Sequence, residues 1–322
     1  MKTTYKNIIK SIFFTTGLVI LLFLSSELFR PKYSEDVEEI KDPLSEGITN
    51  EPENTIDVLI IGDSEAFNSI IPVRIWEKYG ITSYVCATPL QRLSYTEKLL
   101  QDTFDSQSPK LVILETDAIF TEVSFNDALT NKAELIFPIF TYHDRWKFFN
   151  CNDHSLIANH TSEKNSKGYH LSKEVMVADA SGYMEESSEL EPIQDLNRSY
   201  VESLKEYCDE HGAEFMLLST PSTRNWNYKK HNSMEKLAKE LKVEYIDMST
   251  HQQEIQIDWA KDSRDGGDHL NLYGAEKATE YLGRYLNETG KFESHKGDST
   301  YESWEEESIE WNSGTEVHFL SE

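Results

Sequence analysis

Two stretches far apart in the chain carry the residue types of nucleophilic catalysis. In DVLIIGDSEAFNSI, which begins at Asp57, the apolar run Val58 to Ile61 stops at Gly62-Asp63-Ser64, and residues able to start a helix follow. A hydroxyl at the C-terminal end of a buried strand, on the turn into a helix, sits at the rim of an open parallel sheet, where ligands bind. The unpaired N–H groups of a helix start can hold an oxyanion there. Alone, the tripeptide equally suits a helix cap. Near the C-terminus, DSRDGGDHLNLYGAEKA places His269 in a glycine-bearing loop ahead of a helix, with Asp265 and Asp268 close by. A neutral imidazole can take a serine proton near pH 7, and a carboxylate can fix its tautomer. Together the stretches point to Ser64 as nucleophile and His269 as base, oriented by Asp265 or Asp268.

The elements around them have to bring the two together. Five short apolar runs read as strands: IDVLIIGDS, ITSYVCAT, PKLVILETD, AEFMLLSTPS and VEYIDMS. Between them IIPVRIWEKYG, SYTEKLLQDTFDSQ, NRSYVESLKEYCDEHG, HNSMEKLAKELK and LNLYGAEKATEYLGRYLNETG have helical spacing, with Gly212 a plausible helix stop. Apolar strands alternating with amphipathic helices imply an α/β fold with a mostly parallel sheet covered on both faces. The alternation breaks over 118–190, which reads as an insertion. Residues 31–55 are acidic and contain three prolines, as expected of a linker, and 56–290 form the main domain. The acidic stretch 291–322 is expected to be mostly disordered, with a short docked appendage as the alternative.

These blocks resemble the SGNH (GDSL-type) hydrolase superfamily: Gly62-Asp63-Ser64 matches its first block, and Asp265 through His269, with HLNLYGA after it, matches its last. More narrowly, the chain is similar to the membrane-anchored bacterial branch that includes the D-alanyl transfer protein of teichoic acid modification and the exopolysaccharide O-acetylation proteins. The resemblance covers roughly 57–125 and 195–286. It implies a three-layer α/β/α sandwich and a Ser-His-Asp triad. It also implies an oxyanion hole built from the N–H of Ser64, a backbone N–H at Leu90 ahead of Gln91, and position 117. Asp117 stands where the family has Asn, and Gly266 where it has the triad Asp; the extra glycine could bring Asp265 round to the ring.

The N-terminus carries Lys2, Lys6 and Lys10, followed by SIFFTTGLVILLFLSSELF, in which only Glu27 is charged. Its apolar part is near the ~20 residues a bilayer helix needs. Lysines before it and acids after it predict an anchor with the N-terminus inside and the main domain outside; a cleaved signal peptide is the competing reading. Lys2, Lys6, Lys10 and Arg30 against Glu27 leave the first 30 residues at +3, so the rest carries −29 of a net −26. Such a surface repels nucleic acid. Three cysteines, Cys86, Cys151 and Cys208, lie far apart without zinc spacing. No metal site is expected, and no P-loop or GxGxxG indicates a cofactor. Aromatic residues beside bases make Tyr142, His143, Arg145, Trp146, Arg224, Trp226 and His231 candidates for holding a sugar or an anionic polymer. The expected function is an outward-facing serine esterase or O-acyltransferase working on acyl, most simply acetyl, esters of a cell-surface glycan beside a membrane-bound O-acyltransferase. D-alanyl transfer and a catalytically inactive scaffold are the alternatives.

Overall fold

The computed structural model describes residues 2–29, 47–143 and 166–319. It divides into two compact units, one drawn from Met1–Ile40 and Val123–Thr161, the other from Lys41–Glu122 and Ser162–Glu322. The second unit holds a wholly parallel five-stranded sheet of β1 (Val58–Gly62), β2 (Ser83–Ala87), β3 (Leu111–Glu115), β4 (Glu214–Ser219) and β5 (Glu244–Asp247) in the order β2-β1-β3-β4-β5. All five strands coincide with the apolar runs of the sequence.

The helices, in chain order, are α1 (Lys2–Phe29), α2 (Ser64–Ser69), α3 (Pro72–Tyr79), α4 (Leu93–Phe104), α5 (Phe125–Ile136), α6 (Ile139–Tyr142), α7 (Asp195–His211), α8 (Tyr228–Leu241), α9 (Gln252–Ile255), α10 (Leu272–Glu288) and α11 (Glu302–Phe319). Gly212 ends α7 in the left-handed conformation.

The sheet is buried on both faces, and β1 shows why its strands read as unbroken apolar runs. Leu59 and Ile61 enter one cluster with Leu100 of α4, Leu204 of α7 and Leu237 of α8. Val58 and Ile60 enter another with Phe67 of α2 and Leu282 and Leu286 of α10. The chain leaves β1 for β2 on one side, and β3 then pairs on the other. This reversal opens a crevice beyond the C-terminal ends of the strands. α2 begins there, immediately after β1.

Three boundaries differ from the sequence reading. The acidic tail is ordered over its described length: α11 packs on α3, where Trp304, 1% exposed, lies 5.7 Å from the Trp76 ring. Burying a large aromatic side chain contributes about 3 kcal/mol, which outweighs the like charge that made the stretch read as solvated. Lys167 seals the same corner, pairing with Glu51 at 2.7 Å and Glu307 at 3.2 Å, its ammonium 4.5 Å from the Trp304 ring. Glu51 thus belongs to the folded body together with the buried Ile48 and Thr55, so the expected linker is too long at its C-terminal end; residues 31–46 lie outside the described residues. The expected insertion 118–190 also divides: Val123 begins the part that groups with α1, whereas 166–190 belong with the sheet.

Candidate active site

Ser64 is the first residue of α2, and Asp63 caps that helix by accepting the Glu65 N–H at 3.0 Å. A side chain on Gly62 would meet Glu115 Cβ at 2.7 Å, so the turn before the serine needs glycine to lie against the end of β3. The cap and the nucleophile are therefore adjacent residues, and the two readings of Gly62-Asp63-Ser64 both hold.

His269 comes from the loop between α9 and α10. A bridge between Ser263 and Leu270 closes the base of this loop, and the Ser263 hydroxyl accepts the Gly267 N–H at 2.7 Å. The Ser222 hydroxyl donates to the Asp268 carbonyl at 2.8 Å. Gly266 and Gly267 have φ of +78° and +97°, and a Cβ on Gly267 would fall 1.9 Å from the Thr223 hydroxyl. Only glycine fits there. Asn271 accepts the N–H groups of Tyr273 and Gly274, which caps α10, while its amide donates to Lys261 O at 2.7 Å.

The two loops meet. Ser64 Oγ lies 2.9 Å from His269 Nε2, and His269 Nδ1 lies 2.6 Å from Asp265 Oδ2. The other Asp265 oxygen accepts the His269 backbone N–H at 2.8 Å. A proton on Nδ1 donates to the carboxylate and leaves Nε2 free to accept from the serine. The glycine pair lets Asp265, four residues before the histidine, reach the ring. Asp268 Oδ2 is 4.0 Å from Nδ1, and its Oδ1 is taken by the Asn225 amide at 2.6 Å. Of the two candidate aspartates, Asp265 is the one hydrogen-bonded to the imidazole.

Behind Ser64 lies a nest of carboxyls. Asp63, Glu65 and Glu115 are all buried. Burial, then the neighbouring Asp117, pushes Asp63 up to about 7. Glu65 is raised well above the carboxylate range by burial and by Asp117, Glu115 and Asp63; burial and then Asp63 and Asp117 raise Glu115 likewise. Beside them Lys230 Nζ donates to Asp117 Oδ1 at 2.9 Å and to Asn225 O at 2.5 Å. Asp117 Oδ1 thus accepts an ammonium proton at the position where the family resemblance implies a side-chain donor. Leu90 is 84% exposed at φ +54°, so its side chain points outward and does not crowd its own backbone.

Of the substrate-binding candidates, Arg224 is exposed and lies against the catalytic loop, 3.1 Å from the place a Gly266 Cβ would take. Trp226 and His231 are used internally: both donate to Asp247 Oδ2, at 2.9 and 2.8 Å. Tyr142 and His143 belong to the unit that contains α1, and Arg145 and Trp146 lie outside the described residues.

Further side chains of the site were not legible in the sequence. Asn225 donates to both Glu65 and Asp268. Arg264 Nη1 donates to Asn68 Oδ1 at 3.0 Å, lies 3.1 Å from His170 Nδ1, and sits next to Asp265. Burial, then Arg264, lowers the His170 pKa, so a neutral ring can accept from the guanidinium. The one available signal was Arg264 beside Asp265 in the same loop. Glu65, Asp268 and His269 bring possible metal-ligating atoms within 4.8 Å of one another. Asn225 already bridges the two carboxylates, however, and both ring nitrogens of His269 are engaged.

No protein-family profile and no curated protein sequence matches the chain. Solved structures do resemble it. A Bacteroides fragilis protein assigned as an acylhydrolase is 11% identical over 76% of this chain and 94% of its own, with a TM-score of 0.40. A GDSL-like lipase from Bacteroides thetaiotaomicron is 11% identical over 72% of this chain and 88% of its own, at 0.37. A protein assigned as lipolytic, of the G-D-S-L family, from Desulfitobacterium hafniense is 15% identical over 72% of this chain and 99% of its own, at 0.38. At such scores the likeness carries no weight for the chemistry, which follows from the side chains themselves.

Proposed function

We propose that the chain is a serine esterase or O-acyltransferase of SGNH type. The observation that carries the proposal is the continuous relay Ser64–His269–Asp265, with bonds of 2.9 and 2.6 Å. Ser64 Oγ attacks the ester carbonyl as its proton passes to His269 Nε2, and Asp265 stabilises the imidazolium and holds its orientation. Backbone N–H groups at Ser64 and Leu90 face the oxyanion. The imidazolium then protonates the leaving alkoxide, and the acyl group stays on Ser64 until water or an acceptor hydroxyl, deprotonated by His269, removes it.

α1, whose most apolar 18-residue stretch has a mean hydropathy of 2.1, anchors the chain in a membrane, with the sheet-bearing unit on the outer side. The acyl group is acetyl, carried on a cell-surface or secreted glycan, and the acceptor step runs beside a membrane-bound O-acyltransferase. D-alanyl transfer differs only in the acyl group, and mass analysis of the modified polymer separates the two. A catalytically inactive scaffold is the second reading, favoured by one observation: Asp117, paired to Lys230, stands where a hydrogen-bond donor was expected. A fluorophosphonate probe decides between enzyme and scaffold. An enzyme is labelled at Ser64, loses the label in S64A and turns over p-nitrophenyl acetate; a chain unlabelled at Ser64 that also leaves the ester intact is a scaffold.

A further inference from the structure

α5 is built to stand as a helix of its own. Ser124 Oγ accepts the Asp127 N–H at 3.2 Å, and Asp127 Oδ2 accepts the Ser124 N–H at 3.1 Å, a complete capping box. Its sequence, FNDALTNKAELI, is two-faced. At 3.6 residues per turn, Phe125, Leu129, Lys132 and Ile136 fall within about 60° of one another, with Ala128 and Leu135 beside them. Asn126, Asp127, Thr130, Asn131 and Glu134 take the opposite side.

In a helix on a water-soluble core, the apolar face is the buried one. Here it is the open one. Phe125, Leu129 and Ile136 are 83%, 61% and 56% exposed, and no residue of α5 is buried.

The rest of the same unit indicates what covers this face. Phe137 packs on Phe23 of α1 with ring centroids 5.1 Å apart, and the Ile139 N–H donates to Ser26 Oγ at 3.2 Å. These contacts lie in the last two turns of the apolar stretch of α1, whose side chains from Tyr5 to Leu21 are exposed. A helix joined to the end of a membrane span sits at the level where that span leaves the hydrocarbon. Lys132, in the middle of the apolar face, fits the same layer: its stem lies among apolar groups while its ammonium reaches lipid phosphates. Against a protein surface the same lysine would need a buried counter-charge.

We propose that α5 lies in the interfacial layer of the membrane, its Phe125–Leu129–Ile136 face in the lipid, as a second membrane contact beside α1. The proposal rests on the reading of α1 as an anchor. Two contacts instead of one restrict the tilt and rotation of α1, which a single span leaves to its flanking residues.

The test uses the full chain with Cys151 replaced by Ser, since the other cysteines, Cys86 and Cys208, are buried. Single cysteines L129C, I136C and T130C are labelled with an environment-sensitive dye and reconstituted in phosphatidylcholine–phosphatidylglycerol vesicles carrying a quencher high on the acyl chain. The dye at positions 129 and 136 is expected to be quenched roughly threefold or more beyond that at 130. Equal, weak quenching at all three positions in a chain that floats with the vesicles overturns the proposal alone. Efficient L129C–L129C crosslinking without lipid quenching overturns it in favour of a second copy. A chain that fails to float and washes off in carbonate overturns the anchor reading as well.

Discussion

Among the His–Asp pairs of the sheet-bearing unit, two join a ring Nδ1 to a carboxylate at nearly equal length. His269 Nδ1 meets Asp265 at 2.6 Å, and His231 Nδ1 meets Asp247 at 2.8 Å. Both follow from a histidine near a helix start and an aspartate on a neighbouring turn. Their surroundings differ. Asp247, 3% exposed, also accepts Trp226 Nε1 at 2.9 Å and the Ser249 N–H at 2.8 Å, so it is saturated and its histidine finishes a structural knot. Asp265 holds only the ring and backbone of His269, with Arg264 at 3.5 Å, and the far nitrogen of that ring meets a hydroxyl. A His–Asp pair does not by itself make a base. The group on the second nitrogen decides its use, and here that group is Ser64 for one pair only.

Removing each pair should therefore fail differently. H269A is expected to lower ester turnover by roughly 10⁴-fold or more and to remove fluorophosphonate labelling while the melting temperature stays close to that of the parent. If labelling persists, Ser64 has another base. D265N should cost on the order of 10³–10⁴-fold in kcat, because the amide no longer favours a proton on Nδ1; the pH–rate profile and kcat are the readouts, and an unchanged kcat would return the role to Asp268. D247A leaves two buried donors and the half-buried His231 ring unpaired and is expected to destabilise the fold by about 3 kcal/mol in urea titration while the remaining folded enzyme keeps its kcat. D268N, whose partner is Asn225, should change turnover less than about tenfold.

The smallest effect concerns the nest behind Ser64. Asp63 is raised from 3.8 to about 7 on folding. Between these values the folded state binds more protons than the unfolded one, so stability is full below the unfolded pKa and falls as pH rises towards the folded one. Glu65 and Glu115 shift in the same direction and extend the decline upwards. D63N keeps an α2 cap and removes one of the three titrations. The difference between urea midpoints measured near pH 5 and pH 8 should therefore shrink in this variant. An unchanged difference would assign the slope elsewhere.

Much of the fold was legible because it follows from local rules. A strand buried on both faces must be apolar throughout, so all five strands stood out as runs, and Gly212 marked the end of α7. Ser64 and His269 were legible for a related reason: a small polar cluster interrupting such runs has few uses. The ordered tail was not, because α11 is held by Trp304 against Trp76 and by Glu307 against Lys167, partners far away in the chain.

The amino-acid sequence alone determined the strands, the apolar N-terminal helix, and the two loops able to supply an alcohol and an imidazole. Their information lies within a few residues, in periodicity, caps and glycines. The tertiary structure decided which aspartate holds the ring, that Asp117 is spent on Lys230, and that Trp226 and His231 belong to Asp247. Those choices turn on distances of about 1 Å between side chains that the sheet order brings together, and local sequence does not encode such distances.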